Sequence, residues 1–205
     1  MKAVASQRHK PRDGDTRDGA AADEPRIDAA ALFREHARFV ANFLARLGAA
    51  RADIDDLVQE VFLVAHRRGG FVPGRARATT WLAEIALRVN SAHRRRGRRR
   101  HEDPNTSEIV TAVDGGHGPG AQAETRQALE RVQTALEALD EPKRAVFVLF
   151  ELAGESCESI AAGLGIPVGT VYSRLHKARK LFKAAHAKLL TPPANAPTKR
   201  AVGSV

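Results

Sequence analysis

From residue 28 onward, apolar residues recur at three- and four-residue spacing and nowhere alternate with a period of two. That pattern predicts helices and no strands. Leu32, Phe33, His36, Phe39, Val40, Phe43, Leu44 and Leu47 mark a first helix with Gly48 as its C-cap. A second helix is expected over about 53–67, burying Ile54, Leu57, Val58, Val61, Phe62 and Ala65. It turns Asp55, Asp56, Gln59, Glu60 and Leu63 the other way. Gly69, Gly70, Pro73 and Gly74 make 69–80 a loop. A third helix starts near Thr80 on Trp81, Leu82, Ile85, Ala86 and Val89, and runs into an arginine block. Periodicity returns at Leu129, Val132, Ala135, Leu136 and Leu139. Asp140 is placed to N-cap the next helix, with Pro142 in a first turn where its missing N–H is harmless. Val146, Phe147, Leu149, Phe150 and Leu152 are the apolar residues of that helix, and Gly154 ends it. Two more helices are expected over 156–164 and 168–190. The expected fold is all-α: two small helical domains, 28–100 and 124–190, joined by a Gly- and Pro-containing flexible linker, 101–123. Loose tails are expected at 1–27 and 191–205.

Charge refines this picture. The chain has 205 residues, with 33 Lys+Arg against 24 Asp+Glu and a net charge of +9. The excess is blocked: seven Arg and no acid in 88–100, nine acids against two bases in 101–141, six bases and no acid in 170–190. Two basic helices flanking an acidic stretch suit a polyanion partner. Several chemistries are excluded. One cysteine, Cys157, allows neither an intrachain disulfide framework nor a cysteine-based zinc finger. No apolar run is long enough to span a membrane, and the N-terminus lacks a secretory apolar region, so a cytoplasmic protein without membrane insertion is expected. The histidines show no ligand spacing, and the Asp53, Asp55, Asp56, Glu60 cluster reads as solvated charge or protein docking. No metal, no cofactor and no enzymatic activity are expected.

The segment SCESIAAGLGIPVGTVYSRLHKARKLF carries the most specific signal. Ala161, then Gly165 four residues on and Val171 six further, is helix-turn-helix spacing. A small residue permits close approach, glycine permits the turn, and an apolar residue fills the angle between the helices. Thr170, Tyr172, Ser173, Arg174, His176 and Lys177 lie where a recognition helix meets bases. Arg179 lies further along, where phosphate contact is expected. In the first half, the Arg88–Arg100 block follows a loop and Trp81. That combination suits DNA whose strands are separating, although Trp81 also reads as a core anchor. The acidic face of the second helix would repel DNA and suits a basic protein surface.

Together these segments resemble the extracytoplasmic-function (group IV) sigma factors of bacterial RNA polymerase. DIDDLVQEVFLVAHR resembles their region 2 polymerase-binding helix, TTWLAEIALRVNSAHRRRGRRR their −10 helix, and residues 139–182 their region 4. The resemblance implies an alternative sigma factor. Asp55, Asp56, Gln59 and Glu60 would face the largest subunits of core polymerase. Arg75, Arg77, Thr79, Trp81, Arg88, Arg94, Arg95 and Arg96 would meet the melted −10 strand, and Thr170 to Arg179 the −35 duplex. An anti-sigma protein would clamp between the domains, and the linker would thread into the polymerase cleft. The sequence departs from the family pattern at Ala78, Arg88, Ala92, Ser159 and Tyr172, which bears on the promoter read rather than on the class. The competing expectation is a helix-turn-helix regulator that is not a polymerase subunit. It would need a sensor or dimerisation domain in front, which the acidic face joined to an arginine helix fits poorly.

Overall fold

The computed structural model describes residues 25–100 and 119–190, with side chains over 25–97 and 124–190. The expected loose segments fall mainly at 1–24, 101–118 and 191–205, outside the described residues. Seven α-helices follow in order: α1 (Ala29–Arg46), α2 (Arg51–Arg67), α3 (Ala78–Arg100), α4 (Pro119–Glu137), α5 (Glu141–Phe147), α6 (Cys157–Leu164) and α7 (Val168–Leu190). A π-helical turn, Val148–Leu152, continues α5.

Local chemistry explains most boundaries. Asp28 caps α1 by accepting from the Ala31 N–H at 2.6 Å. Gly48, with φ +88°, lies just beyond the cap residue Leu47, in the left-handed position that ends many helices. Asp140 accepts from the Lys143 N–H at 3.0 Å and starts α5, as its spacing to Pro142 predicted. Ser156 does the same for α6 through the Ser159 N–H at 3.1 Å. Gly165, at φ +64°, makes the left-handed step between α6 and α7. Two expected starts move. α2 begins at Arg51 rather than Asp53, and α3 at Ala78 rather than Thr80. α7 starts at Val168 as expected, and Thr170 sits inside its first turn with its N–H bonded to Pro167 O at 2.9 Å.

The chain enters the fold one residue ahead of the expected position. Ile27 and Phe71 form an isolated antiparallel bridge, with N···O distances of 2.8 and 2.9 Å. Gly70 makes this pairing possible. Its φ is +85°, and a Cβ there would stand 2.4 Å from Ile27 O. The bridge brings Phe71 under Trp81, with ring centroids 5.6 Å apart. That contact places Trp81 at the base of the 69–77 loop, half-buried.

α1, α2 and α3 bury Leu32, Val40, Phe43, Leu44, Leu57, Val61, Leu82 and Ile85 against one another. In the second half, α4, α5, α6 and α7 enclose Leu136, Val146, Leu149, Ile160, Val171 and Leu175. The halves are not held apart: α6 packs on α3, and the buried residues of both form a continuous cluster. Two residues of the expected apolar stripes lie outside the core, Phe33 at 46% exposed and Leu152 at 49%. No helix among the described residues is long and apolar enough to cross a membrane.

Candidate nucleic-acid interface

α7 is anchored from one side only. Val171, Leu175 and Ala178 are buried against the rest of the second half. Tyr172, Ser173, His176, Lys177 and Lys180 are exposed on the opposite stripe, at the spacing of one helical face. Gly169 is also exposed, and nothing lies within 4 Å of a Cβ placed on it, so the helix N-terminus is open to close approach. Thr170 and Arg174 are half-buried at the edge of the stripe. The Tyr172 hydroxyl donates to Glu158 Oε1 at 3.1 Å, which raises the tyrosine pKa; the glutamate is held below its ordinary value by its own backbone N–H and then by that hydroxyl. Arg179 differs from its neighbours. Its Nε donates to Glu151 at 2.6 Å and its guanidinium stands 5.0 Å from the Phe150 ring centroid, so it is engaged within the domain.

A second basic surface runs along the loop and α3. Arg75 and Arg77 are exposed, and Thr79 is half-buried beside them. Arg94 and Arg95 are exposed further along α3 and line an open cleft of about 460 Å³ with Glu137, Asp140 and Glu141. Arg88 is exposed but paired with Glu84, which also accepts from Arg68 at 2.7 Å. Arg96 reaches Glu60 of α2 at 3.3 Å, joining one residue expected at DNA to one expected at the polymerase. At the cleft floor Arg144 donates to Leu47 O and Leu139 O, both at 3.0 Å, and burial pulls its pKa below the ordinary guanidinium value.

The α2 face differs in character. Asp55, Asp56 and Gln59 are exposed and Glu60 half-buried, while Leu57 and Phe62 turn inward. Leu63, 53% exposed, follows Asp56, Gln59 and Glu60 at helical spacing. Phe33 adds its exposed ring edge-on to Phe62 at 5.0 Å. An acidic row beside two exposed apolar side chains suits a protein partner with both basic and apolar surface. The Phe33 contribution was missed because its neighbour Leu32 satisfies the same helical pattern. Glu155, Ser159 and Gly163 were missed as well, since their contacts lie roughly eighty residues away in sequence.

The helix-turn-helix with an open recognition stripe, set against a three-helix unit bearing an arginine helix and an acidic face, defines a transcription factor of the sigma-70 type. The sigma-70 region 2 pattern matches residues 32–100 and the sigma-70 region 4 pattern residues 129–182. The extracytoplasmic-function (ECF) RNA polymerase sigma factor SigE of Mycolicibacterium smegmatis is 34% identical over 160 residues, 77% of this chain and 61% of that protein. The ECF sigma factor SigL of Mycobacterium tuberculosis is 34% identical over 168 residues, 80% of this chain and 92% of that one. In fold, the chain is similar to the sigma factor RpoE of Bartonella quintana, solved in complex with the anti-sigma factor NepR. The TM-score is 0.58 at 23% identity, covering 75% of this chain and 92% of that one. The chain belongs to the ECF group of RNA polymerase sigma factors.

Proposed function

We propose that this chain binds core RNA polymerase through α2, reads the −35 duplex with α7, and holds the opened −10 strand with the 69–77 loop and α3. The open basic stripe of α7, buttressed on its other side by the helix-turn-helix core, is the observation that carries this reading. Tyr172, Ser173, His176 and Lys177 are positioned to reach base edges in the major groove, with Thr170 and Arg174 at the margin. Arg75, Arg77, Arg94 and Arg95 neutralise phosphate, the Thr79 hydroxyl donates a hydrogen bond to it, and binding of exposed bases offsets lost stacking, on the order of a few kcal/mol per step. Arg77, Arg88, Arg96 and Arg179 contact phosphate only after leaving their carboxylate partners. Trp81 supports the loop through Phe71. The chain forms no covalent bonds itself; the polymerase does the chemistry. It works in the cytoplasm, and an anti-sigma protein gripping both halves controls it.

Two variants separate the surfaces. Arg174→Ala is expected to lower −35-dependent initiation about 5- to 150-fold, equivalent to ~1–3 kcal/mol for a bidentate base contact. Run-off transcription on promoters with altered −35 elements checks this. A loss equal on every −35 sequence would mark a phosphate contact instead. Gln59→Ala with Glu60→Ala is expected to weaken core-polymerase binding while leaving the melting temperature nearly unchanged. The reason is that the Glu60–Arg96 pair is partly solvated and worth roughly 0–1 kcal/mol. Co-purification with core polymerase provides the measurement, and unchanged affinity would rule out this docking face. A chain that shifts −35 duplex tightly alone and never binds core polymerase would refute the whole reading in favour of a free-standing regulator.

A further inference from the structure

The two hydroxyls on the open stripe of α7 have both committed their protons within the protein. The Tyr172 O–H donates to Glu158 Oε1 at 3.1 Å, and the Ser173 O–H donates to Thr170 O at 3.0 Å. A hydroxyl carries one proton and spare lone pairs, so each oxygen faces outward as an acceptor. The cationic donors of the stripe lie further along, at Lys177 and Lys180.

Glu158 is placed to hold this arrangement. It lies in the first turn of α6, where free backbone N–H groups favour a carboxylate. Its own backbone N–H, then the hydroxyls of Tyr172 and Ser156, hold its carboxyl below the ordinary range, so it stays an anion that only accepts. Ser156 is itself fixed, because its oxygen accepts from the Ser159 N–H at 3.1 Å. The Tyr172 pKa is pushed up, first by the Glu158 hydrogen bond, and the phenol keeps its proton. The buried Cys157 thiol acts on the same hydroxyl less than Glu158 does. A thiol is a weak donor, so the phenol oxygen still has a lone pair to offer. Tyr172 is 52% exposed, and Gly169 in the turn before it adds no side chain that would keep the ring from a groove.

In the major groove, adenine and cytosine present an exocyclic amine that donates. Guanine and thymine present only acceptors there. An oxygen restricted to accepting separates these two classes, whereas a hydroxyl free to turn its proton outward serves both. A lysine or arginine at this position would do the reverse, since it can only donate. We propose that Tyr172 selects adenine or cytosine over guanine or thymine at one position of one −35 strand. Glu158 is the positioning residue that fixes the direction of its hydrogen bond. This rests on the reading that α7 enters −35 DNA, and adds which bases the first part of its stripe accepts.

The test is run-off transcription by the full chain with core polymerase on a promoter library randomised across the −35 element. Each template carries a transcribed barcode that reports its −35 sequence. The unmodified chain is expected to favour A or C over G or T by about tenfold at one position, since the wrong base leaves two acceptors facing each other unpaired. Tyr172→Phe, which deletes the oxygen and keeps the ring, is expected to cut that preference to about twofold or less at that position alone. Glu158→Ala, which frees the hydroxyl proton, is expected to erode the preference at the same position by letting G and T in. An unchanged preference in either variant would overturn the proposal and leave the sigma-factor reading intact. So would a Glu158→Ala change by one factor on every template, which marks a charge effect on phosphate or a merely structural role. An unmodified chain whose product does not depend on the −35 sequence would overturn both readings.

Discussion

Phe43→Ala is expected to lower the unfolding free energy by about 3–5 kcal/mol. Phe43 is 1% exposed, at the centre of the α1–α2–α3 cluster, and its ring stacks on Phe39 with centroids 5.9 Å apart. Truncation removes the transfer free energy of the ring and leaves a cavity that three mutually braced helices are poorly able to close. A domain stable by only ~5–15 kcal/mol loses a large part of its margin this way. Urea unfolding followed by circular dichroism should show a lower midpoint with little change in slope. A loss below ~1 kcal/mol would mean that the site repacks and that Phe43 is not central to the first half.

Ile160→Ala is expected to cost about 2–5 kcal/mol, now in the second half. Ile160 is fully buried in α6 within the cluster that also holds Val171 and Leu175 of α7. Those contacts set the angle between α6 and α7 on which an ordered recognition stripe depends. The variant should therefore lose −35-dependent initiation together with its thermal transition. Arg174→Ala should lose initiation and keep its transition, because Arg174 sits at the helix edge and not in the core. If Ile160→Ala melted normally yet failed to initiate, Ile160 would have a recognition role rather than a packing one.

Much of the helical order was legible in the sequence because its determinants are local. The α7 bounds Val168–Leu190 follow from apolar period and turn residues, and the α5 start follows from Asp140 and Pro142. The exposed stripe of Tyr172, Ser173, His176 and Lys177 follows from the same periodicity once Val171 and Leu175 are buried. A side chain that two faces could claim departs from its expected place. Phe33 lies beside Leu32, and at 100° per residue a neighbour of a core position falls on the flank, where only the packing partner decides burial. For Arg179 the charge alone points to phosphate, and only packing reveals the partners that hold it in the fold, Glu151 and Phe150 on the preceding segment.

The sequence by itself determined the class: helical period, caps, helix-turn-helix spacing and blocked charge are set by neighbours within a few turns, and they lead to a sigma factor with separate basic helices. Only the tertiary structure decided which of those charges are free and which are already paired. The pairing of Thr79 with Glu155, of Arg96 with Glu60 and of Asn90 with Glu141 joins residues 76, 36 and 51 positions apart. Nothing in a local pattern encodes such a partner. It emerges when α6 comes to rest on α3, an approach made possible because Gly163 carries no side chain.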